Sequence, residues 1–186
     1  FSAVPMAATG LVRELDAPGC RLPADPERAG LRAVSIGQVV RRMTPATLNI
    51  FASRLDAVCD EMGLVLRNAA FSPNIRDRLD LSCAVFDAGG ALCAQAAHIP
   101  VHLGSMAFAM QGIVAGIEWQ PGDQVMLNDP YLGGTHLPDV TLIAPVFAAG
   151  ALQAFVVNRA HHADIGAASP GSMPISSRLE HEGMVI

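Results

Sequence analysis

The sequence predicts an α+β fold: a mixed, largely antiparallel sheet with β-hairpins packed on helices. Three observations carry this. Apolar residues recur at helical spacing from Leu48 to Leu66. Two pairs of short, β-prone runs flank glycine-containing turns, Asp87-Ala88-Gly89-Gly90 and Ala149-Gly150. The order along the chain is helix, hairpin, helix, strand, hairpin, with no internal repeat.

Residues 1–42 are rich in Pro, Gly, Ala and Arg and read as a poorly structured linker or extension, with a short helix possible over Val34 to Arg42. Residues 43–186 are expected to form the folded part. Thr44 is a good N-cap, and Pro45 at the first helical position loses no hydrogen bond. Leu48, Phe51, Leu55, Val58, Met62 and Val65 or Leu66 then make one apolar stripe, expected in the core. Phe71-Ser72-Pro73-Asn74 ends that helix, and a charged segment, Arg76 to Asp80, follows. Leu81 to Asp87 and Ala91 to Ala97 read as the first hairpin. His98 to Ser105 reads as a connection into a second helix, Met106 to Ile117. Gln124 to Leu127 reads as a buried strand and Asn128 to Asp139 as irregular. Val140 to Phe147 and Leu152 to Asn158 form the second hairpin, and a loop rich in Gly, Ser and Pro ends the chain.

Composition excludes several functions. Apolar residues make up 51% and charged residues 16%, which argues against disorder. The formal net charge is -5, all twelve basic residues are arginine, and they are scattered. With 5% aromatics there is neither a basic stripe nor a stacking surface for nucleic acid. No apolar run reaches the roughly 18 to 20 residues of a membrane span, and Phe1 to Ala8 lacks the basic start of a signal peptide. Cys20, Cys59, Cys83 and Cys93 form no C-x-x-C pair. Four dispersed cysteines suit free thiols in a cytoplasmic protein, although Cys83 and Cys93 could face each other across the first hairpin.

The histidines are the main chemical signal. His136 and Asp139 lie three apart, stiffened by Pro138, and both residue types bind zinc or manganese. His161 and His162 follow the strand that pairs with the one leaving Asp139. A hairpin of two similar strands brings its outer ends together, so His161 returns to Asp139. Asp164 is a fourth ligand or a partner to one. Gly133-Gly134 reads as a flexible turn, and Asp77 and Asp80 beside Arg76 and Arg78 as local ion pairs. Ser82 and Ser105 lack a G-x-S-x-G context, and there is no phosphate-binding G-x-x-x-x-G-K motif.

Four ordered motifs resemble the hydantoinase B/5-oxoprolinase family: Ser72 to Ala84, His98 to Met106, Asn128 to Asp139 and Arg159 to Gly166. The resemblance covers about residues 43 to 186. It implies the N-terminal part of a larger catalytic domain. It also implies a cytoplasmic enzyme that opens a cyclic amide, a hydantoin or 5-oxoproline, at a divalent metal, zinc or manganese. A partner subunit or domain of the hydantoinase A type would use ATP to activate the substrate. Related subunits of acetone-type carboxylases give a second expectation, and a truncated, non-catalytic metal-binding piece a third. Carried over by position, the metal ligands are His136, Asp139, His161 and an acid at Asp77, with Asp80 as the alternative. His162, His102 and His98 are the candidate proton carriers. No nucleic acid or membrane partner is expected.

Overall fold

A computed structural model describes residues 43–97, 99, 101–171 and 174–186. The expected N-terminal linker, and His98, lie outside the described residues. Helix α1 spans Pro45–Ala69. The Thr44 hydroxyl accepts from the Thr47 N–H at 3.2 Å, satisfying an end group the helix cannot satisfy itself. The helix buries Cys59, Met62, Gly63 and Leu66. The expected apolar stripe is only half buried: Leu48 and Phe51 are 39% and 38% exposed. The sheet beneath α1 is met first by the partly buried Leu55 and Val58. A one-turn helix, α2 (Pro73–Arg76), follows. Among the described residues, Asp77 and Asp80 form no ion pair with Arg76 or Arg78.

The strands are β1 (Leu81–Asp87), β2 (Leu92–Ala97), β3 (Val125–Leu127), β4 (Asp139–Ala148) and β5 (Ala151–His161). They form a five-stranded sheet in the order β2-β1-β5-β4-β3, with each neighbouring pair antiparallel. Alternation along the strands separates two cores. On one face Leu81, Cys83, Val85, Leu142, Ala144 and Val156 pack under α1. On the other, Ala84, Phe86, Ile143, Phe155 and Val157 meet Met106 and Met110 of α3 (Val101–Gly116). Phe86 and Phe155 are fully buried, each contributing about 1.5–3 kcal/mol.

Helix α3 starts five residues before the expected Met106, so Gly104, Ser105 and His102 lie inside it. A helical Gly costs about 1 kcal/mol relative to Ala. The burial of Met106 and Met110 offsets that cost, and Ser105 Oγ donates to the Val101 carbonyl at 3.2 Å. The β4–β5 turn places Ala149 at φ 50° and Gly150 at φ 75°, both positive, as the tightest hairpin connection requires. The register set at that turn shifts once, between Val146 and Phe147, and beyond this irregularity Asp139 pairs with His161 at the far end. The C-terminal segment packs Leu179 and Ile186 against Leu137, Val140 and Ile165.

Candidate metal centre

Asp139 opens β4 and His161 closes β5, directly opposite each other. The loop before Asp139 is held in place by burial and hydrogen bonds. Leu137 is fully buried. The buried Asn128 side chain donates to the Leu137 carbonyl at 2.9 Å and the Met184 carbonyl at 2.8 Å, and accepts from the Ile186 N–H at 2.8 Å. The Asp139 N–H closes a turn onto the His136 carbonyl at 3.0 Å. His136 is thereby folded back over the strand ends.

Three donor atoms meet there. His136 Nε2 lies 3.0 Å from Asp139 Oδ1, His161 Nδ1 lies 2.8 Å from the same oxygen, and the two ring nitrogens are 3.0 Å apart. Neutral imidazoles cannot satisfy this triangle unaided. If both nitrogens carry hydrogens toward Oδ1, the two N–H groups face one another. If one lacks its hydrogen, its lone pair faces the carboxylate. A cation bound by all three removes the conflict. Such a cation would be held by His136 Nε2, His161 Nδ1 and Asp139 Oδ1. The donor set of two imidazoles and a carboxylate suits a divalent transition ion.

The surroundings are strongly polar yet buried. Asp139 is 2% exposed. Burial pushes its pKa up, but hydrogen bonds from His102, His136, His161 and Thr135 together hold it far below the usual carboxylate range. The Asp139 hydrogen bond raises the pKa of His136, against its burial. His102 Nε2 lies 3.3 Å from Asp139 Oδ2, and Thr135 donates its hydroxyl to that oxygen. An open cavity of about 230 Å³ is lined by Asp80, Ile99, Val101, His102, His136, Asp139 and His161.

The other expected residues are distributed unevenly. Asp77 is exposed at the end of α2 and does not line the cavity, because the turn through Leu79 carries Asp80 to the rim instead. The Asp80 carbonyl accepts from the His161 N–H at 3.0 Å. Asp164 is exposed, and its carboxylate serves the Gly166 N–H at 2.8 Å. His162 is half-buried, with its pKa lowered by burial; its backbone N–H donates to the Pro138 carbonyl at 2.8 Å.

Two features escape sequence reasoning. Ser82 Oγ contacts His102 Nδ1 at 2.9 Å. The guanidinium of the fully buried Arg159 donates to Thr141 Oγ1 at 2.7 Å, to the Gly133 carbonyl at 2.9 Å and to Ser105 Oγ. Gly133 and Gly134 are therefore not a flexible turn. A Cβ on Gly133 would meet Ala109 Cβ at 2.4 Å, and one on Gly134 would meet two carbonyls at 2.7 Å. The available signal is period-two alternation. Ser82, Thr141 and Arg159 are polar at positions continuing the apolar face of Ala84, Ile143 and Val157.

Residues 44–186 match the hydantoinase B/oxoprolinase family. The chain is 47% identical over 146 residues to the 5-oxoprolinase of Saccharomyces cerevisiae, covering 76% of this chain and 11% of that protein. Among solved structures it is similar to acetone carboxylase in its nucleotide-free form, with TM-score 0.71, 27% identity, 89% of this chain and 22% of that one. It is also similar to the ATP-dependent caprolactamase of Pseudomonas jessenii, with TM-score 0.67, 30% identity, 78% of this chain and 26% of that one. The chain spans between 11% and 27% of the length of the curated relatives it matches. With the match extending over most of its length, the chain belongs to the hydantoinase B/oxoprolinase family.

Proposed function

We propose that the chain supplies the metal-bearing part of an ATP-dependent enzyme that opens a cyclic amide of the hydantoin or 5-oxoproline class. The observation that carries this is the triangle of His136, Asp139 and His161 donors, each within 3.0 Å of the other two. Those three atoms would hold a divalent ion, zinc or manganese, with Asp80 at the cavity rim as the fourth donor in place of Asp77. When bound, such an ion would supply Lewis-acid chemistry, polarising a carbonyl or phosphoryl oxygen and making water more acidic.

The chain's own residues do the rest. Thr135 and His102 hold Asp139 Oδ2, which leaves Oδ1 to face the two imidazoles. Ile99 and Val101 line the cavity beside the donors and give it an apolar side. Proton transfer falls to His162, adjacent to His161, and to His98. ATP is used at a hydantoinase A-type subunit or domain, and the assembly works in the cytoplasm. Support comes from the family match and from the caprolactamase likeness.

The test is ATP-dependent loss of 5-oxoproline or hydantoin by the complete protein with its ATP-binding partner. His136→Ala is expected to abolish turnover. Full activity in that variant would defeat the proposal. The second reading, a carboxylase subunit, is favoured by the acetone carboxylase likeness. Substrate loss that requires bicarbonate would select it.

A further inference from the structure

Ser82, His102 and Asp139 form a buried polar file behind the donor triangle, joined by a Ser82–His102 hydrogen bond and a close His102–Asp139 contact. The three come from β1, the first turn of α3 and the start of β4. Ser82 is fully buried, His102 is 1% exposed and Asp139 is 2% exposed. Ser82 Oγ lies 2.9 Å from His102 Nδ1, and His102 Nε2 lies 3.3 Å from Asp139 Oδ2.

The carboxylate decides the tautomer. Were Nδ1 the protonated nitrogen of a neutral ring, the Nε2 lone pair would face an anionic oxygen in a buried site, a costly arrangement. The hydrogen therefore sits on Nε2 and donates to Oδ2, while Nδ1 accepts from the Ser82 hydroxyl. Thr135 donates to Oδ2 as well. One carboxylate oxygen is thus anchored by two donors, and the other is presented to His136 and His161.

We infer that His102 is a positioning residue, anchored by Ser82, that makes Asp139 a one-oxygen donor to a divalent cation; it is not a proton carrier. Both of its nitrogens are committed inside the protein, so neither is free to exchange a proton with a bound substrate. This rests on the metal reading of the triangle. Without His102, Oδ2 keeps Thr135 alone, and the carboxylate is free to rotate and offer both oxygens. Partners that orient a metal ligand typically change affinity about 10–100-fold when removed.

The test is titration of the complete, chelator-stripped protein with Co2+, followed by calorimetry and by the visible absorption of the bound ion. His102→Ala is expected to bind Co2+ at least about 10-fold more weakly, with an altered spectrum. His102→Gln, whose amide N–H reaches about where Nε2–H sits, is expected to recover wild-type affinity within about three-fold and the wild-type spectrum. Ser82→Ala, which removes only the anchor of His102, is expected to weaken binding several-fold. If the wild-type protein takes up no Co2+, the metal reading itself fails. If wild type binds, and His102→Ala matches it in affinity and spectrum, the positioning role is overturned. Should His102→Ala not fold, the other two variants decide: His102→Gln as weak as about 10-fold below wild type, or Ser82→Ala unchanged, overturns the inference.

Discussion

Gly133→Ala is expected to cost far more stability than a glycine substitution at a similar backbone angle elsewhere. Gly133 has φ 98° and Gly122 has φ 93°. Forcing an L side chain into a left-handed conformation costs about 1–2 kcal/mol at either site. Around Gly122 a Cβ meets nothing within 4 Å, so that strain is the whole effect. At Gly133 the new Cβ would lie 2.4 Å from Ala109 Cβ and 2.6 Å from Ala109 Cα. Both atoms are fixed to the α3 backbone and cannot rotate away. Overpacking of this kind adds about 1–3 kcal/mol, giving about 2–5 kcal/mol in all. The displaced segment also carries the carbonyl that receives Arg159 and leads into Thr135 and His136. Urea unfolding of the two variants measures the difference, read from midpoints at constant slope. Metal content is expected to fall with Gly133→Ala and to stay unchanged with Gly122→Ala. Equal stability losses, or Gly133→Ala with wild-type stability and metal, would refute the close-approach reasoning.

Arg159→Lys is expected to destabilise the fold by about 1–3 kcal/mol, since one ammonium cannot replace a planar fork serving three separate acceptors; thermal unfolding measures it. Cys59 and Cys83 are expected to resist thiol reagents in the native state while the exposed Cys93 reacts, as mass spectrometry of alkylated protein will show. Burial pushes the Cys59 thiol up to about 11, and burial with the nearby Cys59 pushes Cys83 up to about 12. Raised pKa values favour the protonated, folded form, so this stability is intact below the ordinary thiol pKa near 9 and is lost as pH rises through about 12. Denaturation series between those pH values are expected to show a decline that Cys59→Ala and Cys83→Ala reduce; an unchanged slope would contradict it.

The parts legible in the sequence are those governed by neighbours in the chain. The Thr44-Pro45 pair marks the start of α1 because capping is local chemistry. The Ala149-Gly150 turn marks the β4–β5 hairpin and so brings its outer ends together, while the one-residue shift between Val146 and Phe147 that sets Asp139 opposite His161 has no such local mark. What the sequence hides depends on contacts between distant segments. Gly104 and Ser105 resemble a helix breaker, yet the fit of Met106 and Met110 against Phe86 and Phe155 extends α3 through them. Leu48 and Phe51 match the periodicity of a core stripe but lie beyond the point where the sheet meets α1. The pairing of β1 with β5 joins segments far apart in sequence and has no local signature. It is this pairing that sets Ser82 opposite Arg159, and the Ser82–His102 contact and the Arg159 node stay out of reach without it. Asp80 displaces Asp77 at the cavity for a related reason: the positive φ of Leu79, 57°, redirects the chain between them.

The most direct test of the account is metal analysis of the complete protein beside its His136→Ala and His161→Ala variants, each verified as folded by circular dichroism. About one divalent ion per wild-type chain is expected, removed by chelator with a fall in Tm, and that ion is expected to be lost in both variants. Folded variants that keep the wild-type metal content would contradict it.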